Sequence, residues 1–575
     1  METEAALQSG LPVLPLDSLL WDVWKRRADE KPYAEAIVHW TAGKEPYRWT
    51  WGGLVESAAR FSNLLQSRGV KPGDVCAMIF RHHADFYPLY MGISALGAIP
   101  AVLAYPNARL HPDKFRQGLE GMARKSGLNW LLTEKELGPS LESFVRRPGG
   151  SIRGILFPLE GPDAPPFSVS WRMPQNGAAP HGPCLLQHSS GTTGLQKAVT
   201  LSHLAVLRHL AHYGKAIRLH SEDKAVSWLP LYHDMGLIAA FHLPLAFGIP
   251  TVLLSPFEWA AAPILFLQAI HAERGTVTWL PNFAYNHMAI CVRDEDLEGI
   301  RLDSLRLVVN CSEPIRSTSH DGFIRKFARF GLKPEVLGSS YAMAETTFAV
   351  TQSEPGMGPR RAAASMKALA QGIFRPALPG EKTRVCVSSG RLITGCEAKI
   401  VDEARRELPD DRVGEIAVRS LSLFDGYRND AEKTNEVLTG GWYFSGDLGF
   451  RHEGEYYVVG RKKDILIVAG KNVYPEDIED AVCGVPGVIP GRAVAFGIEN
   501  ETIGTEEAAV VVETAVVQKD LLKEMKLLIL QAGMEIDVTI SRVYFAPPRW
   551  LIKSSSGKPS RRINKERALL ELGPS

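Results

Sequence analysis

The sequence predicts an α/β protein with a large N-terminal domain of doubly wound sheets and a β-rich subdomain, followed by a small α+β C-terminal domain. Up to about residue 340, short apolar runs alternate with helix-sized segments, which is typical of βαβ units and parallel sheet. After Glu345 the pattern changes to short alternating strands with turns. The last ~110 residues form a unit of mixed pattern, within the usual size of a domain. We place the two domains at residues 1–460 and 461–575.

The elements are predicted in chain order from apolar periodicity. Helices are predicted at Trp51–Arg68 and at Leu89–Leu96, the latter with Pro88 just ahead of it. Strands are predicted at Val75–Phe80, Ile99–Leu103, Ala225–Leu229, Thr251–Leu254, Val277–Trp279 and Leu305–Val309. Because ligands of such sheets collect at the carboxyl ends of the strands, we expect the functional site at that edge.

The second half of the chain contains a surface excursion. The segment Gln352–Thr383 holds four prolines and five basic residues, and we predict a basic excursion there with one short helix. Runs such as Glu415–Arg419 and Tyr456–Val459 predict the strands of the β-rich subdomain. Gly460–Asp464 is a polar junction before the C-terminal unit.

Composition limits the class of protein. The 575 residues are 45% hydrophobic and 22% charged, with 65 basic and 64 acidic side chains. This balance gives no support for nucleic-acid binding, for which a basic domain is expected. The seven cysteines form no C-x-x-C pair, so we predict a reducing, cytoplasmic location. The most apolar window, Ala239–Phe257, is interrupted by prolines, and neither a secretory signal nor an integral membrane segment is predicted.

The most informative segment is Ser189–Lys197, which combines four hydroxyl side chains, two glycines and a lysine. Glycines allow the backbone to approach a ligand, and successive N–H groups form a concave site for an anion. We therefore predict a polyphosphate-binding loop. Lys197 follows Gly194 by three residues, so the spacing is not that of a P-loop NTPase. The alternative is a solvent-exposed linker.

Further polar clusters follow predicted strands or stand near the C-terminus. They are Tyr232–Gly236, Ser312–Pro314, Tyr341–Glu345, Ser445–Gly449 and Ser554–Lys558. Each has an ordinary structural alternative. Asp447 could anchor a turn, and Glu345 could stabilise a helix N-terminus. His233 could be a satisfied loop histidine, and Lys558 could belong to a solvated basic face.

Taken in order, these segments resemble the motifs of the adenylate-forming superfamily of acyl-CoA synthetases, NRPS adenylation domains and luciferases. Ser189–Lys197 resembles T-S-G-[ST]-T-G-x-P-K-G, with Gln196 in place of proline and Ala198 in place of the last glycine. Tyr341–Glu345 resembles Y-G-x-[TA]-E, with Ala342 in place of glycine. The other matches are Ser445–Leu448 to [ST]-G-D, Gly460–Asp464 to G-R-x-[KD]-D and Ser554–Lys558 to S-x-S-G-K.

Within the superfamily, the chain resembles fatty-acyl-AMP ligases most. The segments that carry this resemblance are Trp228–Ile238, Leu280–Tyr285 and Asn472–Glu479. These ligases carry an insertion that CoA ligases lack, and Gln352–Thr383 (residues 352–383) is the candidate insertion. Trp279 and Leu280 are bulkier than the residues expected there, which implies a shortened or reshaped acyl tunnel.

The resemblance implies that ATP and Mg²⁺ convert a carboxylic acid, for which we expect a fatty acid, to acyl-AMP with release of pyrophosphate. The acyl group would then pass to the phosphopantetheine thiol of an acyl carrier protein. The implied ATP-binding residues are Ser189, Ser190, Gly191, Thr192, Thr193, Gly194, Lys197, Ser312, Glu313, Pro314, Tyr341, Ala342, Met343, Asp447 and Arg461. Glu345 would hold the metal, Lys558 would be catalytic, His233 and Trp279 would contact the acid, and Lys463 would be the hinge.

Two other functions stay open at this stage. An acyl- or aryl-CoA ligase of the same fold would differ in the thiol that it accepts. A non-catalytic nucleotide-binding homologue would be expected to lose at least one of Lys558, Glu345 and Asp447, all of which are present. The basic excursion could attract an acidic carrier protein, or it could be a solvated surface.

Overall fold

The computed structural model describes residues 10–106, 112–145, 150–160, 178–189, 197–468, 471–500, 505–553 and 559–573. Its largest sheet has nine strands, with parallel pairs in the centre and antiparallel pairs at both edges. In spatial order they are Arg391–Leu392, Ala349–Gln352, Leu337–Ala342, Leu307–Asn310, Val277–Leu280, Ala225–Ser227, Thr251–Leu254, Glu35–Trp40 and Tyr47–Thr50. Apolar side chains bury the central strands from both faces, as expected for parallel sheet.

A second sheet has six strands and is parallel except for its last pair. In spatial order they are Gly154–Leu156, Trp130–Thr133, Val75–Ile79, Ile99–Val102, Pro183–Ser189 and Lys197–Ser202. The antiparallel last pair, Pro183–Ser189 with Lys197–Ser202, flanks the predicted phosphate loop.

Helices cover the faces of these two sheets. They are Leu20–Glu30, Trp51–Ser67, Phe86–Ala95, Pro112–Ser126, Gly138–Val145, His203–Ala216, Leu243–Phe247, Pro256–Ala261, Ile264–Glu273, Asn282–Cys291 and Ser317–Phe327, with a π-helix at Met235–His242. Side-chain caps set two of the starts: Thr50 accepts from the Gly53 N–H, and Ser202 accepts from the Ala205 N–H.

The helix predicted at Leu89–Leu96 begins three residues earlier, at Phe86. Pro88 therefore lies inside its first turn and not ahead of it. The first four N–H groups of a helix have no intrahelical partner, so a proline there costs no hydrogen bond.

The β-rich part forms a five-stranded sheet from Cys396–Val401, Gly414–Ser420, Leu438–Thr439, Trp442–His452 and Glu455–Arg461, with a helix at Ala431–Val437. The candidate insertion contains the strand Arg361–Ser365 and the predicted short helix, Met366–Leu369. The strand pairs with Thr383–Val387 in a hairpin, so this structure extends four residues past the predicted end of the insertion.

The C-terminal residues pack around a separate apolar core that includes Ile478, Val510 and Ile529. Its elements are the strands Leu466–Val468, Lys471–Val473, Val488–Asn500, Thr505–Thr514 and Ile540–Ala546 and the helices Pro475–Cys483, Lys519–Glu535 and Arg561–Glu571. The domain boundary at residue 460 stays a prediction. Within the described ranges, no helix is both long and apolar enough to cross a membrane.

Candidate active site

Three of the predicted polar clusters lie at one edge of the nine-stranded sheet. Each of these clusters lies at the end of a strand in the parallel core of the sheet. In chain order, the strands are Ala225–Ser227, Leu307–Asn310 and Leu337–Ala342. Because parallel strands share the edge at which they end, the clusters of His233, Ser312 and Glu345 are brought to the same side of the sheet.

Asp447 is held between an aromatic ring and an arginine. Its Oδ2 accepts a 2.8 Å hydrogen bond from the Tyr341 hydroxyl. Its Oδ1 lies 3.0 Å from Nε of Arg461, which is its cross-strand partner in the β-rich sheet. The Asp447 charge raises the pKa of Arg461, so the guanidinium stays charged. Three residues that the sequence predicts for nucleotide binding thus form one connected group.

A second group joins Lys197 to Glu345 through Tyr427. The Tyr427 hydroxyl donates a 2.7 Å hydrogen bond to Oε1 of Glu345. Lys197 Nζ lies 3.4 Å from that hydroxyl and 4.6 Å from the centre of the tyrosine ring. Burial lowers the pKa of Lys197, and the Glu345 charge opposes this effect. An anion next to Lys197 would favour its charged form.

The Ser312–Pro314 turn carries backbone strain and an unpartnered hydroxyl. Ser312 has a φ of 68°, in the left-handed region that non-glycine residues seldom adopt. Its Oγ is buried without a hydrogen-bond partner. Glu313 accepts a 2.9 Å hydrogen bond from the Phe283 N–H, which fixes the turn against the helix Asn282–Cys291. Such strain at a sheet edge is typical of ligand-binding sites.

His233 lies where the chain turns sharply into the π-helix. Its Nδ1 is 2.7 Å from Oδ1 of Asp234, and its side chain is about one-fifth exposed (21%). The turn requires glycine at Gly236, because a Cβ there would lie 2.3 Å from the Pro230 carbonyl oxygen. A π-helix at this place is in keeping with the frequent occurrence of π-helices at functional sites.

Trp279 lies in the core behind this edge. The side chain is 1% exposed, and its Nε1 donates a 2.7 Å hydrogen bond to the Tyr213 hydroxyl. Nearby, the sulfur atoms of Cys311 and Met235 are 3.0 Å apart. Cys311 directly precedes Ser312 and Met235 follows His233 by two residues, so this contact joins the two turns near which the sequence predicts the acid.

Lys463, the predicted hinge, lies among other charged groups of the site. Burial and the positive charge of Arg461 lower the pKa of Lys463 to about 8, and Lys197 adds to this effect. Asp464 next to it forms a 3.0 Å ion pair with Arg561. The segment that would contain the hinge is therefore fixed by ion pairs on both sides.

Ion pairs also join the C-terminal unit to the rest of the chain. Arg316, four residues after Ser312, lies 2.8 Å from Asp480, and Arg384 of the insertion hairpin lies 3.1 Å from Asp477. The Arg384 guanidinium also lies 5.0 Å from the centre of the Tyr474 ring.

Several predicted site residues lie outside the described residues: Ser190, Gly191, Thr192, Thr193, Gly194 and Lys558. Ser189 ends the strand Pro183–Ser189, and Lys197 begins the next strand. The two residues that flank the predicted phosphate loop are thus neighbours in an antiparallel pair, with Ser189 opposite Lys197.

The single carboxylate of this site suits a metal ion that binds together with phosphates. No cluster of three or more potential metal-ligating side chains occurs among the described residues. Glu345 supplies a single carboxylate that is largely buried. Mg²⁺ is usually held by one or two carboxylates together with substrate phosphates and water, so Glu345 fits that ion.

Tyr427 and Tyr443 are site residues that sequence reasoning missed. Tyr427 contacts partners 82 and 230 residues away along the chain. Burial and the nearby Glu345 charge raise the pKa of Tyr443. No local pattern marks such a residue, since tyrosine next to glycine is common in turns.

The model of the AMP-binding enzyme family matches residues 24–428, which is most of the chain. The chain belongs to the AMP-binding enzyme family. This membership confirms the predicted superfamily resemblance and its α/β fold.

Relatives and a solved structure agree with this assignment to the AMP-binding enzymes. The medium-chain-fatty-acid–acyl-carrier-protein ligase JamA of Moorena producens is 33% identical and covers 82% of this chain and 80% of its own. The long-chain-fatty-acid–AMP ligase FadD26 of Mycobacterium marinum is 27% identical, with 85% of each chain covered. A structure from a study of fatty acyl-adenylate ligases of E. coli and L. pneumophila superimposes with a TM-score of 0.88 at 25% identity, covering 97% of this chain and 98% of that one.

Proposed function

We propose that this protein is a fatty-acyl-AMP ligase, which activates a carboxylic acid with ATP and passes the acyl group to an acyl carrier protein. The observation that carries the proposal is the arrangement of two groups around the end of the strand Leu337–Ala342: Tyr341, Asp447 and Arg461 for the nucleoside, and Lys197 with Glu345 for the phosphates. The names of the relatives support the fatty acid and the carrier protein.

In the first half-reaction, a carboxylate oxygen of the acid bonds to the α-phosphorus of ATP. The bond from that phosphorus to the bridging oxygen breaks, and pyrophosphate leaves with the electron pair. The acid is already ionised at pH 7, so the step needs no general base. It needs positive groups around the phosphates, which Lys197, Lys558 and the phosphate loop would supply.

Asp447 would orient the nucleoside by accepting hydrogen bonds from the ribose hydroxyls, because an ionised carboxylate offers lone pairs only. Arg461 holds this carboxylate in place. Tyr341 would lie against adenine, and the Ser312–Pro314 turn would line the same pocket. The strained turn and the unpartnered Ser312 hydroxyl support a ligand there.

Glu345 would hold Mg²⁺. When bound, the metal neutralises phosphate charge in the transition state. The protein contributes a fixed carboxylate beside the Lys197 ammonium.

In the second half-reaction, the phosphopantetheine thiol loses its proton to solvent and its sulfur bonds to the acyl carbon. The bond from that carbon to the phosphate oxygen breaks, and AMP leaves with the electron pair. We propose that rotation of the C-terminal unit about Lys463 separates the two steps. The Arg384–Asp477 pair ties this unit to the insertion hairpin, which supports limited rotation and poor access for free CoA.

The charge of the insertion gives little support to electrostatic capture of a carrier protein. Four of its five basic residues have acidic partners: Arg360 with Glu453, Arg361 with Asp321, Arg375 with Glu381 and Lys382 with Asp537. We therefore leave the docking surface for the carrier protein unassigned. The free cysteines are in keeping with a reducing cytoplasm.

The test is product analysis by mass spectrometry with ATP, Mg²⁺, a panel of fatty and aromatic acids, and either CoA or a phosphopantetheinylated carrier protein. Acyl-AMP and acyl-carrier protein without acyl-CoA would support the proposal. Efficient acyl-CoA formation would show a CoA ligase instead. The Lys558→Ala variant controls for contaminating ligases.

A further inference from the structure

A single hydroxyl group lies between the proposed metal carboxylate and the lysine of the phosphate loop. Tyr427 donates to Glu345 at 2.7 Å and accepts from Lys197 at 3.4 Å. Tyr427 is 4% exposed, so water does not compete freely for these bonds.

Backbone hydrogen bonds fix Tyr427 to the strand that leaves the phosphate loop. The Thr200 N–H donates to the Gly426 carbonyl at 3.1 Å, and the Arg428 N–H donates to the Ala198 carbonyl at 2.9 Å. Tyr427 therefore forms a short bridge with Val199. These bonds fix the position of Tyr427 relative to the strand Lys197–Ser202.

Further bonds fix the same segment on its two other sides. The Phe424 N–H donates to the backbone carbonyl of Glu345 at 2.9 Å, and the Tyr427 N–H donates to Oγ1 of Thr434 at 2.9 Å. The segment 424–428 thus contacts both the strand Lys197–Ser202 and Glu345. A displacement of one would be passed to the other through this segment.

The hydroxyl also sets the direction of hydrogen bonding. Its one proton goes to the Glu345 carboxylate, so its oxygen is left to accept from Lys197. This bond orients the Glu345 carboxylate and leaves its other lone pairs for a cation.

We propose that Tyr427 is a positioning residue that aligns Glu345 with Lys197, so that the divalent cation and the phosphates of ATP bind as one unit. This inference rests on the proposed ATP-dependent function but assigns a role to a residue outside its motifs. Tyr427 does not need to touch the substrate.

The test compares ATP affinity with and without the metal, measured by calorimetry in the absence of any acid. Tyr427→Phe keeps the ring over Lys197 and removes the bond to Glu345. We expect MgATP affinity to fall by about tenfold, as for a lost hydrogen bond to a charged group, while ATP affinity in EDTA changes by less than about twofold. In a Glu345→Gln background the same change should have little effect, because the two residues act as a pair.

Tyr456→Phe is the matched control. Tyr456 is also a buried tyrosine of the β-rich part, and its hydroxyl donates to the Ala398 carbonyl at 2.8 Å. The Tyr456→Phe variant should lower the melting temperature about as much as Tyr427→Phe and leave the affinity for MgATP unchanged.

Equal losses of MgATP and metal-free ATP in Tyr427→Phe would overturn the inference, as would affinities equal to those of the Tyr456→Phe control. The proposed function is tested separately by acyl-AMP formation in the wild-type protein. A wild type that binds MgATP but adenylates no acid would refute that function, and the Tyr427 comparison would still be decided by binding.

Discussion

The hydroxyl of Tyr341 and Oδ2 of Asp447 are joined by a 2.8 Å hydrogen bond that links the nine-stranded sheet to the β-rich sheet. Oδ1 of the same carboxylate faces Arg461 at 3.0 Å. The carboxylate is therefore oriented before any nucleotide binds. A ligand that uses its remaining lone pairs meets a fixed acceptor, which lowers the cost of ordering on binding.

The first prediction concerns ribose recognition by Asp447. We expect the wild-type protein to bind ATP about tenfold more tightly than 2′-deoxy-ATP, because a hydrogen bond to a charged acceptor is lost. In Asp447→Asn this ratio should fall toward one, as measured by calorimetry with both nucleotides. An unchanged ratio would mean that Asp447 does not contact the ribose and only anchors Arg461.

The second prediction concerns the catalytic role of Lys558. Lys558→Ala should slow acyl-AMP formation by about 10²–10³-fold, the usual cost of one transition-state electrostatic contact. ATP affinity should stay within about threefold of wild type, since the contact forms mainly in the transition state. Single-turnover assays of acyl-AMP measure the rate.

Arg562→Ala is the control for this experiment. Arg562 is exposed, pairs with Glu566 at 2.9 Å, and belongs to the same basic segment. If both variants lose activity equally, the segment acts as a general basic face and Lys558 has no special role.

The local pattern of apolar residues is sufficient to predict the central strands of the two large sheets. The runs predicted at Val75–Phe80 and Thr251–Leu254 form strands at Val75–Ile79 and Thr251–Leu254, because buried parallel strands appear as continuous apolar runs. The predicted ends of helices are less accurate where a residue such as proline is tolerated both before a helix and within its first turn. The pattern predicts a helix start just after Pro88, but Pro88 lies within the first turn of the helix Phe86–Ala95.

Contacts between distant segments could not be predicted from one sequence. The Asp447–Arg461 pair follows from the register of two neighbouring strands, which a hairpin pattern can suggest. The Tyr341–Asp447 and Tyr427–Glu345 bonds depend instead on how separate sheets pack. The ion pairs of Asp477 and Asp480 likewise join segments that are far apart in the chain.

The third prediction concerns the acid. Trp279 and its bond to Tyr213 occupy space behind the site. Trp279→Leu should therefore raise the ratio of kcat/KM for long over short fatty acids by about tenfold, within the range for changes of pocket size. The buried Trp51, at the start of the helix Trp51–Ser67, supplies the control variant Trp51→Leu. A similar shift in that control would show a general loss of packing instead of an effect on specificity.

The fourth prediction concerns the ion pairs that hold the C-terminal unit. Replacing Asp477 and Asp480 by asparagine leaves Arg384 and Arg316 without their charged partners. The unit should then rotate more freely, and acyl-CoA formation should rise by about tenfold relative to acyl-AMP formation.

Asp520→Asn is the comparison for the double variant, because Asp520 pairs with Lys523 on the same exposed helix of this unit. Limited proteolysis near Lys463 should speed up in the double variant and not in Asp520→Asn. Unchanged cleavage together with unchanged acceptor use would show that these pairs do not restrain the unit.

The last prediction concerns acid stability and two stacked histidines that join the two main sheets. His39 lies in the nine-stranded sheet, and its ring lies 4.0 Å from that of His82, which follows a strand of the six-stranded sheet. Burial lowers the pKa of His39 to about 3 and that of His82 to about 4. Both residues are therefore neutral in the folded protein at pH 7.

Unfolding would return His39 to its ordinary pKa of 6.5, so the unfolded chain binds the proton first as the pH falls. The stabilisation is complete above about pH 6.5 and is lost toward pH 4, at about 1.4 kcal/mol per pH unit for each such histidine. His39→Gln should therefore flatten the fall of the urea midpoint between pH 6.5 and 5, followed by tryptophan fluorescence. His83→Gln, at an exposed neighbour, should keep the wild-type slope. Equal slopes in all three proteins would show that the free energy of unfolding does not depend on the protonation of His39.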